Sequence, residues 1–210
     1  MFTISIYSPK GGVGRTSISL HLADRLQREG LNVFLNDADP QNSALGFALL
    51  AEQSGAPLRF TVGRGTPPAG TDVVVTDHGP QSLPILPRAD LHIVPTIADG
   101  VSFSVGIQTI ERLKAAGAQV LPVASRYRRD RAEHRAALKD EAMINAVVMH
   151  DRAALAGFYL TGRLTSDGDQ RQPAVRLAME DIDALTSAVL ARMPSQQQSA
   201  HFIQQEVAHV

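Results

Sequence analysis

Apolar residues follow two alternating rhythms along this chain. Short, nearly unbroken runs occur at 2–7 (FTISIY), 31–37 (LNVFLND), 72–77 (DVVVTD), 91–96 (LHIVPT), 118–125 (AQVLPVAS) and 144–149 (INAVVM). They are rich in β-branched residues and bounded by turn-forming ones, which predicts buried strands. Between them the apolar positions fall three or four residues apart. In 16–30 the residues Ile18, Leu20, Leu22, Ala23 and Leu26 predict a helix stopped by Gly30. A short helix is predicted over 41–55, an amphipathic one over 102–117, a charged one over 129–143 and a long amphipathic one over 172–193. The run 57–62 (PLRFTV) reads as one more strand, followed by a loose loop over 63–71.

Strands alternating with helices imply right-handed crossovers and a parallel sheet. The expected fold is a single-domain α/β architecture, a mostly parallel twisted sheet with helices on both faces. Its domain spans 1–193, with a polar and loose tail over 194–210. A length of 210 residues suits one such domain. In open sheets of this kind, ligands bind at the carboxyl ends of the strands.

Composition narrows the function. Hydrophobic residues at 44% and charged ones at 20% are ordinary for a globular chain. A net charge of -1 excludes a basic field over the whole molecule, so any nucleic-acid contact needs a local patch. The absence of cysteine removes disulfides, thiolate metal sites and cysteine nucleophiles, and fits a reducing compartment. The first ten residues lack the basic region of a signal peptide, and no run of about 18 apolar residues offers a membrane span. The histidines have no H-E-x-x-H spacing, and no G-x-S-x-G marks a serine nucleophile.

The stretch SPKGGVGRTS, 8–17, sits where the first strand meets the first helix. Glycines let backbone N–H groups turn around an anion, and Gly11, Gly12 and Gly14 supply them here. The following helix adds its N-terminal dipole, and Thr16 offers a hydroxyl for magnesium. Against the pattern G-x-x-x-x-G-K-[ST], Pro9 replaces the first glycine and Arg15 replaces the lysine. A glycine-rich turn with no ligand is the plainer alternative for this loop alone. The loop is accompanied by Asp37 and Asp39 after the second strand run and by Asp77 at the tip of DVVVTD. A carboxylate buried at a strand tip is costly without a cation, and magnesium is one such cation. Capping a helix is the alternative for Asp77.

KGGVGRTS (10–17), DADPQ (37–41) and VVVTDHG (73–79) resemble the deviant Walker A, Walker A′ and Walker B motifs of the ParA/MinD-type ATPases. The resemblance runs from the first strand to the last long helix. It is nearest to the short plasmid-partition members, with conjugative-transfer helpers of the VirC type second. It implies a P-loop NTPase fold with ATP or ADP and Mg2+ as cofactors. By this resemblance Lys10 is the signature lysine that reaches a partner's phosphates across a dimer. Gly11, Gly12, Val13 and Gly14 form the cradle, Thr16 is a magnesium ligand and Ser17 lies near the α-phosphate. Asp39 orients the attacking water, and Asp37 and Asp77 surround magnesium and its waters. Arg15 departs from the family lysine, which affects hydrolysis more than binding. His78 is also outside the pattern and reads as a neutral neighbour of the site.

The run SRYRRDRAEHR, 125–135, carries Arg126, Arg128, Arg129, Arg131 and Arg135. On charge alone it reads as a solvated helix face paired with Asp130 and Glu133. The resemblance, which implies sequence-independent DNA binding by an ATP-bound homodimer, makes it a candidate phosphate-contact patch. By the same resemblance Arg126, just after a strand, is near where the family holds the nucleotide base, which makes it a candidate to serve the nucleotide rather than DNA. The implied role is DNA partition with slow hydrolysis, stimulated by a small centromere-binding or relaxosome partner, in the cytoplasm and on the nucleoid when ATP is bound. A conjugation helper and a hydrolysis-impaired nucleotide-sensing scaffold are the alternatives. The tail motif HFIQQEVAHV lacks the basic residues of a membrane-targeting helix.

Overall fold

The computed structural model describes residues 1–80 and 86–194. Apart from Pro194, the expected tail lies outside these residues. Among the described residues seven strands form one sheet, and every pair is parallel. They are β1 (Phe2–Ile6), β2 (Val33–Ala38), β3 (Thr61–Gly63), β4 (Val73–His78), β5 (Leu91–Thr96), β6 (Val120–Tyr127) and β7 (Val147–His150). Their spatial order is β3-β2-β4-β1-β5-β6-β7. The chain therefore winds to one side of β1 and later to the other, which places the loop after β1 at the reversal of direction where open α/β sheets bind ligands.

The helices are α1 (Arg15–Arg28), α2 (Ser43–Gln53), α3 (Gly100–Ala115), α4 (Ala132–Ala137), α5 (Ala153–Ala156), α6 (Phe158–Thr161) and α7 (Pro173–Leu190). Strand side chains alternate between two core slabs. Ile93, Leu121 and Val123 point to the larger one with Leu22, Phe47 and Leu185, while Val94 and Ala124 face Ile110 and Leu113 of α3. A side-chain period of two divides each strand in this way. β5 is buried at every position, as its unbroken apolar run predicts.

Three local expectations need correction. The helix expected over 129–143 shrinks to the six residues of α4, followed by a 3₁₀ turn at Glu141–Met143 capped by Asp140. Its charges pair at i,i+2, Arg128 with Asp130 and Arg131 with Glu133, which is loop geometry and gives no support along a helix face. β6 does not stop at Ser125 but continues through an irregularity between Ala124 and Tyr127, so Arg126 lies in the strand with φ +52. The expected strand over 57–62 is only the three-residue edge strand β3.

Candidate functional site

The loop between β1 and α1 is held open around its own backbone. Gly12 and Gly14 have φ of +74 and +87, a region that glycine enters freely. A Cβ on Gly14 would also stand 3.4 Å from the Ser125 hydroxyl, which itself donates to the Val13 carbonyl at 2.6 Å. β6 thus fixes the loop from one side. α1 begins without a side-chain cap and without an acid in its first turn. Its leading N–H groups and positive dipole end therefore face the loop unopposed, the setting of an anion site. Lys10 is exposed on the outer rim of the loop.

Arg15 is 7% exposed and fastens the loop from the other side. Its Nε donates to the His78 carbonyl at 2.7 Å and its Nη1 to the Ser8 carbonyl at 2.8 Å and to the Lys10 carbonyl. Three of the five guanidinium donors are used on backbone, and Nη2 has no partner among the described residues. The arginine that replaces the expected lysine is a tie between the glycine loop and the tip of β4.

The three acids converge beside it. Asp37 and Asp77 are register partners across the β2–β4 pair, and Ile6 of β1 is the neighbour of Asp77 on the other side. Asp37 accepts from the backbone N–H groups of Asp39 at 3.1 Å and Leu45 at 2.9 Å. It therefore caps the start of α2. Asp39 accepts from Gln41 N–H at 2.9 Å through Oδ1 and lies against Gly79, where an added Cβ would come 3.1 Å from that oxygen. Asp77 is 0% exposed, and among the described residues neither carboxylate oxygen has a hydrogen-bond partner. Burial raises its pKa from 3.8 to about 6; the nearby Thr16 and Ser19 hydroxyls and Arg15 pull it down, and Asp37 pushes it up. His78 is pushed down to about 4 by burial, with His92 and Arg15 adding to the effect, so it is neutral at pH 7.

On the far side of the loop a cavity of about 350 Å³ runs from Gly12, Gly14 and Ser17 to His150, Asp151 and Arg152 at the tip of β7. Phe158, Tyr159 and Arg126 also line it. That volume falls in the range of small-molecule sites. Arg126 pairs with Asp151 at 3.6 Å. The structure therefore sets Arg126 at the cavity, whereas Arg128, Arg129, Arg131 and Arg135 lie exposed beyond it. Arg135 donates to the Arg129 carbonyl at 2.8 Å, so part of this run ties its own loop.

Sequence reasoning missed Ser125, the Tyr159 hydroxyl that donates to the Ser43 carbonyl, and the Asp181 cluster described below. A serine at the end of an apolar run opposite a glycine loop is the one available signal; Tyr159 lies in a short helix without periodicity and meets a residue more than a hundred positions away, and the Asp181 cluster carries no motif. Among the described residues no three His, Asp, Glu or Cys side chains could hold a metal by themselves, and no helix is long and apolar enough to cross a membrane.

The family model of the CobQ/CobB/MinD/ParA nucleotide binding domain matches residues 4–200. No curated protein matches the chain. Similar solved structures include a McdA variant of Cyanothece in complex with ATP, at 15% identity and TM-score 0.66, covering 90% of this chain and 96% of that one. Another is MinD of Pyrococcus horikoshii with Mg-ADP, at 16% identity and TM-score 0.62, covering 91% and 98%. A plasmid partition protein from Borrelia burgdorferi has 13% identity and TM-score 0.60, covering 89% and 98%. At these identities the likeness to each structure is one of fold.

Proposed function

Because the chain belongs to the CobQ/CobB/MinD/ParA nucleotide-binding family, we propose that it is a nucleotide-switched ATPase of DNA partition. It binds Mg-ATP with the triphosphate in the glycine loop and the nucleoside in the adjoining cavity. The ATP-bound form closes on a second copy, holds DNA without regard to sequence and is reset by slow, partner-stimulated hydrolysis. The observation that carries this reading is Asp77, a fully buried carboxylate with both oxygens unbonded among the described residues, beside a loop built for an anion. Such a group is costly unless a cation completes it. Magnesium would be held by Thr16 and Asp77, with phosphate oxygens supplying the rest, as this ion requires in sites without a cage of protein ligands. When bound it neutralises phosphate charge.

The remaining roles fall to side chains in place. Lys10 is exposed on the rim, where it is free to meet the phosphates of a second copy. Asp39 spends Oδ1 on the Gln41 N–H and keeps Oδ2 to hold a water. Nη2 of Arg15 reaches the phosphates while the rest of the guanidinium holds the loop. Arg128, Arg129, Arg131 and Arg135 supply a local basic surface for DNA phosphates.

Calorimetric titration with ATP, with and without magnesium, tests the site. Magnesium should tighten binding to the parent at least about tenfold, and Thr16→Ala and Asp77→Ala should each lose most of that gain. Equal affinity with and without magnesium in the parent overturns the reading. One observation favours a second reading, a nucleotide sensor with little hydrolysis: most donors of Arg15 are already engaged by backbone.

A further inference from the structure

The base end of the cavity contains a histidine whose tautomer is dictated from behind. Asp181 of α7 is nearly fully buried and receives four hydrogen bonds. Its Oδ2 accepts from the His150 backbone N–H at 2.9 Å and from Arg152 Nε at 2.7 Å. Its Oδ1 accepts from Arg152 Nη2 at 3.1 Å and faces His150 Nδ1 at 3.0 Å. A carboxylate held by an arginine accepts only, so Nδ1 must carry the proton. Arg152 Nη2 also lies 3.3 Å from Nδ1, but its hydrogens serve the nearer Asp181 oxygen. The ring is fixed edge-on against Tyr127, with centroids 5.6 Å apart. In the neutral ring Nε2 is then a bare acceptor, and it has no hydrogen-bond partner among the described residues. His150 lines the same cavity as the loop glycines.

We propose that His150, oriented by Asp181, selects the purine by accepting a hydrogen bond from a 6-amino group and rejecting a 6-oxo group. The inference rests on the proposed nucleotide function and names the group that reads the base. An acceptor opposite an N–H2 forms a bond, whereas opposite a carbonyl two acceptors face each other and both lose water without return. Two other polar groups at the rim would choose differently. Arg126, a donor, would favour a 6-oxo base, and Asp151, an acceptor, would favour the N1–H and 2-amino group of guanine. These two neutralise each other at 3.6 Å and are more exposed than Asp181.

The experiment is competition binding of Mg-ATP, Mg-ITP and Mg-GTP to the parent, His150→Ala and Asp181→Asn, with thermal melts of all three. The parent should prefer ATP to ITP on the order of tenfold. His150→Ala should bring the two within about twofold, chiefly by weakening ATP. In Asp181→Asn the amide oxygen takes the Oδ2 position, where two donors converge, so its NH2 faces Nδ1 and Nε2 becomes the donor. That variant should move the preference toward ITP. If it fails to fold, His150→Ala decides alone. Equal affinity of the parent for ATP and ITP, a preference for GTP, or an unchanged ATP-to-ITP ratio in His150→Ala overturns the role of His150. In each of those outcomes triphosphate binding survives, and with it the proposed function. Failure of the parent to bind any triphosphate overturns both.

Discussion

Asp77, on the β2–β4 side of the glycine loop, is fully buried, and neither of its oxygens is bonded among the described residues. Asp181, on the β6–β7 side, is almost as deeply buried, yet it receives two donors from Arg152 and two from His150. The two acids lie on opposite sides of the glycine loop, and burial alone does not tell them apart. Their partners do. A buried charge with every lone pair engaged holds the fold together, because removing it strands its donors. A buried charge with none engaged weakens the unliganded fold and keeps its affinity for something absent from the chain.

The contrast is broken most forcefully at the partnered end. Asp181→Ala leaves Arg152 and the His150 N–H without their acceptor and should cost about 3–5 kcal/mol in urea unfolding. A cost below about 1 kcal/mol would mean that the cluster does not hold the fold.

At the other end the sign reverses. The folded state raises the pKa of Asp77 from 3.8 to about 6, so the folded chain binds this proton more tightly than the unfolded one. The penalty is absent below about pH 4, grows as the carboxyl ionises and is complete above about pH 6. Asp77→Asn should therefore stabilise the unliganded protein by up to about 3 kcal/mol at pH 7–8 and change little at pH 4. His78, pushed down to about 4, acts oppositely: its penalty appears as pH falls. The difference between parent and variant, measured at each pH, removes that contribution to first order. An Asp77→Asn protein no more stable than the parent at pH 8 would erase the distinction between the two acids.

The smallest effect belongs to Arg15, which shares features of both ends. Its backbone ties resemble those of the Asp181 cluster, and its free Nη2 resembles the open acid. Lysine has no fork with which to hold three carbonyls, so its ammonium is released toward the phosphates. Arg15→Lys should raise single-turnover hydrolysis at saturating Mg-ATP, by no more than about tenfold, with ATP affinity nearly unchanged. Slower hydrolysis in Arg15→Lys would make the arginine an adapted catalytic group.

Much of this architecture was legible in the sequence because its strands are buried on both faces and read as apolar runs. The all-parallel sheet and the loop after β1 followed from that pattern and from glycine spacing. The convergence of Asp37, Asp39 and Asp77 followed because all three close strands in one sheet. The division of labour among them did not. That Asp37 caps α2 depends on the path of the chain to Leu45, and that Asp77 caps nothing depends on the same path. α5 and α6 are too short for periodicity, and α6 is held by aromatic packing of Phe158 and Tyr159 on Phe47. His150 and Asp181, separated by 31 residues, carry no motif, and their relation exists only once α7 lies against β7.

The solitary state of Asp77 has a consequence for the lifetime of the molecule. A ligand that binds only the folded chain suppresses its openings by mass action. A penalty of up to about 3 kcal/mol in the empty state makes those openings more frequent than in a chain without it, by at most on the order of a hundredfold. Proteases that cleave the open form sample it in proportion to its population. Empty molecules should therefore be degraded ahead of occupied ones, so that the abundance of the protein follows the supply of the ligand that completes its site.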